Sequence, residues 1–104
     1  MKIAFSLLIA IHGIIHFLGF VKAFELSPVK ELSASVSRPI GILWLVIGLL
    51  LIATAILFWQ KINYWWMAGT AGLILSQVLI ISYWADAKWG TVPNLILLIT
   101  IITG

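Results

Sequence analysis

Two histidines four residues apart, His12 and His16, lie inside an otherwise uncharged apolar run near the start of the chain. In a helix that spacing puts both imidazoles on one face about a turn apart, where they can hydrogen-bond to neighbouring helices, pass a proton or hold one metal ion. The other side chains with chemical capacity are few. Ser76 and Gln77 fall in a later apolar run, Asp86, Lys88 and Asn94 follow it, and Trp44 lies a full turn inside another. Asp86 is the only carboxylate near this group, so His12, His16 and Asp86 make the candidate metal set, and all eight residues are candidate ligand-binding groups. The stretch reads His-Gly-Ile-Ile-His and lacks the glutamate that serves as base in metalloprotease helices. Bis-histidine haem would need ligands on opposite faces of the porphyrin, which one helix supplies only in a dimer. No phosphate-binding glycine loop, nucleophile elbow or pair of catalytic carboxylates is present, so acid–base work would run through the histidines.

The elements that position these residues follow from composition. Of 104 residues, 63% are hydrophobic and 9% charged, with a mean hydropathy of +1.22. A soluble chain of this size would be left with large apolar patches facing water, so the solvent of most of the surface is lipid. The absence of cysteine excludes disulfides, CxxC redox centres, iron–sulfur clusters and thiolate zinc sites. The net charge of +3 comes from six scattered Lys and Arg without a basic stripe, which fits anionic headgroups rather than nucleic acid.

Uncharged windows of roughly 20 residues, the length needed to cross a bilayer, run over about 3–21, 40–59 and 65–83. A fourth helix over about 92–103 is short, either tilted or cut off from a longer parent. In lipid the backbone must be paired within the chain, and runs such as Leu49-Leu50-Leu51-Ile52 do not alternate, so helices are expected rather than a barrel. The expected fold is therefore all-α, a single membrane domain forming a multi-pass transmembrane antiparallel four-helix bundle. The N-terminal run reads as a first transmembrane helix rather than a signal peptide, because it carries two histidines and no clear small-x-small cleavage site follows.

Between the first two spans, Ser27 and Pro28 open an amphipathic pattern through Val29, Leu32 and Val36, a candidate interfacial helix over about 28–36. Ser37 or Arg38 before Pro39 starts the second span in the same way, and Thr91 before Pro93 the fourth. Trp59, Tyr64, Trp65 and Trp66 at one turn, and Tyr83, Trp84 and Trp89 at another, are placed as headgroup belts. Lys22, Lys30, Arg38 and Lys88 on one side slightly outnumber Lys2, Lys61 and the terminal amine on the other, which favours the first connection in the cytoplasm. Ala68-x-x-x-Gly72, and Gly41 with Gly48, suit close helix approach within the chain or in a dimer.

In an up-down bundle the ends of the first and third helices share a side with the starts of the second and fourth. His16 lies four residues from the end of its helix, and Ser76 and Gln77 about 9 to 11 Å from theirs. The polar residues therefore gather in one half of the bilayer as a crevice. The plainest expectation is that the histidines bond Gln77, Ser76 or Asp86 and hold the bundle together for about 1 kcal/mol each. The function expected is a membrane scaffold or interaction module, with a homo-oligomer or another membrane protein as partner and no catalysis of its own. The alternative is a membrane oxidoreductase subunit or transporter-like unit that handles a proton, metal or quinone-like ligand through His12 and His16. Four helices leave little room for an aqueous path, so conduction would need an oligomer.

The stretch from His12 to Lys22, Ser76-Gln77, and Trp84 through Asn94 resemble the membrane region of uncharacterised bacterial proteins with a small four-helix unit, loosely similar to the DoxX-like families. The resemblance implies a bacterial inner-membrane location and a soluble domain that can follow the four-helix unit. A histidine pair in the first helix departs from the DoxX-like pattern.

Overall fold

The computed structural model describes residues 2–29, 32 and 35–103 of the chain. They form helices α1 (Lys2–Ala23), α2 (Arg38–Trp59), α3 (Trp65–Ser82), the single turn α4 (Trp84–Ala87) and α5 (Thr91–Thr103). A 3-10 turn, Lys88–Gly90, joins α4 to α5. Four helical segments are long and apolar enough to cross a membrane, the fourth being Trp84–Thr103. The chain is an all-α, multi-pass membrane protein.

The expected short fourth helix is α5, but helical backbone reaches back to Trp84. Asp86 and Lys88 interrupt the apolar run without interrupting the helix, because a helix at a headgroup level tolerates charge that a hydropathy window does not. Asp86 and Lys88, at the turn that Trp84 and Trp89 mark in the sequence, thus lie on a helical lead into α5. The interfacial helix expected over about 28–36 falls partly outside the described residues. Pro28, Val29, Leu32, Ser35 and Val36 have no regular structure, and Leu32 and Val36 are buried. Lys22 donates to the Leu32 carbonyl, tying this connection to the end of α1.

The helix ends follow local rules. Ser37 is the N-cap of α2 with Pro39 in its first turn, where a missing N–H costs nothing. α1 and α2 both stop in a left-handed residue, Glu25 (φ 55°) and Lys61 (φ 59°). Leu26 N–H reaches the Val21 carbonyl at 3.0 Å and Ile62 N–H that of Leu57 at 3.0 Å, the Schellman closure that gathers the last carbonyls of a helix.

Because almost every residue is apolar, the inward faces are marked by small and polar side chains. On α2 the buried positions are Gly41, Trp44, Ile47, Gly48, Leu51, Thr54 and Ala55, and on α3 they are Gly69, Gly72, Ser76, Leu79 and Ile80, both at helical spacing. α1 packs most extensively on α2, α2 on α3, and α3 on α5. At the first contact the backbones touch: a Cβ on Gly48 would lie 2.7 Å from the Gly13 carbonyl oxygen, and one on Gly13 2.7 Å from that of Gly48. Gly72 packs on Leu51 within the chain, so the small residues flagged there serve an internal contact. The outward faces carry Ile3, Leu7, Ile14, Leu49, Ile81 and Ile99, each more than half exposed, as a lipid-facing surface requires.

Candidate functional site

Three helices contribute the site. His12 and His16 project from one face of α1, Ser76 and Gln77 from the end half of α3, and Thr91 and Asn94 from the first turn of α5. His12, His16, Ser76 and Asn94 are all buried, none more than 4% exposed. Helix α5 can present Asn94 so deeply because Thr91, Asn94 and Leu97 recur every third residue on its inner face.

The hydrogen bonds form one connected set. His16 Nδ1 lies 2.8 Å from the His12 carbonyl oxygen, and its Nε2 lies 2.7 Å from Ser76 Oγ. Asn94 Nδ2 reaches Ser76 Oγ at 3.1 Å and Gln77 Oε1 at 3.0 Å, while Asn94 Oδ1 lies 2.9 Å from His12 Nε2. Gln77 Nε2 donates to Thr91 Oγ1 at 3.1 Å.

One group fixes the polarity of the whole set. The His12 carbonyl can only accept, so His16 Nδ1 carries a proton. With the imidazole neutral, His16 Nε2 accepts from the Ser76 hydroxyl, whose single proton is then committed. Ser76 must in turn accept from the Asn94 amide, which turns Asn94 Oδ1 toward His12 and requires His12 Nε2 to donate. The two histidines are therefore opposite tautomers, His16 protonated on Nδ1 and His12 on Nε2. Three of the four ring nitrogens are engaged by the protein, and the fourth, His12 Nδ1, is an acceptor without a partner among the described residues.

The rings stack as a column. His12 and His16 meet edge to face at 4.6 Å between centroids, Trp44 lies 5.5 Å from His16, and Tyr83 lies 5.6 Å from Trp44. Beside this column is a cavity of about 400 Å³ whose wall includes His12, His16, Trp44, Asp86, Trp89 and Gly90.

No protein-family model, curated protein or solved structure matches this chain. The reading of the site rests on its geometry.

The sequence-derived candidates separate into three groups. His12, His16, Ser76, Gln77 and Asn94 come together in the network. Trp44 and Asp86 join the cavity wall, with Trp44 stacked on His16. Lys88 stays exposed, its Nζ 5.8 Å from the Trp89 ring centroid, a cation–π contact. The three-ligand metal set does not assemble. Among the described residues no three His, Cys, Asp or Glu side chains are grouped to hold an ion, and both nitrogens of His16 already serve hydrogen bonds.

Sequence reasoning missed three contributors. Thr91 closes the network, and its signal was its place three residues before Asn94 on the same helical face. Tyr83 was assigned to a headgroup belt but packs half-buried on Trp44, and its hydroxyl lies 3.5 Å from the Ser35 carbonyl. Gly90 forms cavity wall: a Cβ there would lie 2.8 Å from Ile80 Cδ1 and 3.5 Å from His12 Cε1.

Proposed function

We propose that this chain is a small scaffold or interaction module of the bacterial inner membrane, without catalysis of its own, built on the plan of the DoxX-like four-helix proteins that its sequence resembles. The observation that supports it most is the closure of the polar network on itself. His16 and the Nε2 side of His12 bond to the backbone, Ser76 and Asn94, so they act first as connectors between α1, α3 and α5. Its partner in this reading is a second copy or another membrane protein, met through the lipid-facing surface.

The alternative is an oxidoreductase subunit or transporter-like unit that handles a proton, metal or quinone-like ligand at His12 and His16. One observation favours it, the cavity against the histidine column. The two readings part in a comparison of the detergent-purified parent with a His12→Leu/His16→Leu double variant by elemental analysis and optical spectrum. The scaffold reading expects reduced stability or association and no metal or chromophore lost. A stoichiometric metal or chromophore present in the parent and absent from the variant overturns it.

A further inference from the structure

We propose that the cavity beside His12 binds a neutral, lipid-soluble alcohol or phenol, whose hydroxyl donates a hydrogen bond to His12 Nδ1. The network sets the sign of this site. Asn94 accepts from His12 Nε2, which leaves Nδ1 with a lone pair in the neutral ring. Among the described residues the side-chain polar atoms that are both fully buried and without a partner are Ser6 Oγ and Trp44 Nε1. His12 Nδ1 is not one of them, so the unpartnered nitrogen opens onto space.

That space is the cavity. The Nε2 side of the ring is turned to Asn94, and Cε1, the atom between the two nitrogens, lies 3.5 Å from where a Gly90 Cβ would stand. Gly90 and His12 are both in the cavity wall, and with Nε2 taken by Asn94 the Nδ1 side of the ring is left to the ligand.

The rest of the wall selects the class of ligand. Its remaining ionisable side chain is Asp86, and of its two indoles Trp44 has its N–H sealed away while Trp89 stands largely exposed. At His12 Nδ1 itself a lone pair disfavours anions and carbonyl-only molecules and favours a hydroxyl donor. Trp44, Trp89 and the histidine rings supply flat apolar surface for a planar body, and the surrounding medium is lipid, so the ligand arrives by partitioning. An oxidised quinone, which carries carbonyl oxygens alone, is the wrong partner for Nδ1.

The test uses β-naphthol and its methyl ether, which share a ring system and differ in the hydroxyl donor. Each is titrated into the full chain in lipid nanodiscs, with nitrogen NMR of isotope-labelled histidine as readout. The expected result is a saturable shift of the unprotonated His12 nitrogen with β-naphthol and binding at least about tenfold weaker for the ether, the size of one lost hydrogen bond. An Ala87→Leu variant, which fills the cavity wall without touching the network, is expected to abolish saturable binding while leaving the His16 signals in place. Equal binding of the two probes, no saturable response, or undiminished binding in Ala87→Leu would each overturn the proposal. Should Ala87→Leu fail to fold, the two probes on the parent protein still decide it.

Discussion

The two halves of this bundle are held by different means. In the half that contains the ends of α1 and α3, polar side chains from three helices bond one another: His12, His16, Ser76, Gln77, Thr91 and Asn94. In the other half, rings do the work. Phe5 lies 4.6 Å from Phe58, Phe58 4.9 Å from Trp65, and Phe5 6.1 Å from Trp65. Among the described residues the buried polar side chains there are Thr54, which bonds back to the Leu50 carbonyl of its own helix, and Ser6, whose sealed hydroxyl finds no partner. In lipid, apolar side chains gain little from leaving one apolar surroundings for another, so shape and hydrogen bonds decide which helices meet. The polar half specifies partners at a distance, since long side chains carry α1 across to α3 and α5. The aromatic half specifies only close contact.

The sharpest way to break this contrast is Asn94→Leu. It removes the residue that touches His12, Ser76 and Gln77 and leaves buried polar groups on His12 and Ser76 short of a partner, so a loss of about 3 kcal/mol is expected in thermal unfolding in detergent. Gly48→Ala strikes the backbone contact with Gly13, which no flexible side chain can relieve, and should cost about 2 kcal/mol, read as a lower unfolding midpoint. Ser6→Ala has the opposite sign: removing an unpartnered sealed hydroxyl is expected to stabilise by about 1 kcal/mol in the same assay. A loss on Ser6→Ala would mean that the aromatic half holds a polar contact of its own. The smallest effect is Lys61→Gly at the left-handed end of α2, a gain of about 0.5 to 1 kcal/mol measured as a raised midpoint.

Much of the polar half was legible in the sequence, because an ionisable or amide side chain inside an apolar run must face a partner. His12, His16, Ser76, Gln77 and Asn94 announced themselves by being out of place, and helix direction put them at one depth. Which atoms meet was not legible. The histidines were expected to bond Gln77, Ser76 or Asp86, yet His12 takes Asn94, and Gln77 joins at one remove through Asn94. That choice depends on how far α5 rotates, which Asn94 and Thr91 fix to a face but not to a particular partner atom.

The aromatic half was read less well. Trp65 was assigned to a headgroup belt, whereas it packs against Phe5 and Phe58. An aromatic residue at a helix end serves either role, and composition does not distinguish them. Gly41 and Gly48 were picked out by their heptad spacing, while their counterparts on α1, Gly13 and Gly19, were not. Gly19 gives way to the Trp44 ring, a contact between helices that no spacing along one helix encodes. The helical lead from Trp84 to Gly90 was hidden by its charges, which lower hydropathy but leave helix formation intact.

The central claim is that the His12 carbonyl orients the entire polar set and makes the two histidines opposite tautomers. Nitrogen NMR of histidine-labelled protein in lipid bilayers, at a pH where both rings are neutral, tests it directly. The account predicts two distinct rings, His16 with its proton on Nδ1 and His12 with its proton on Nε2. Two rings with the same tautomer would contradict it.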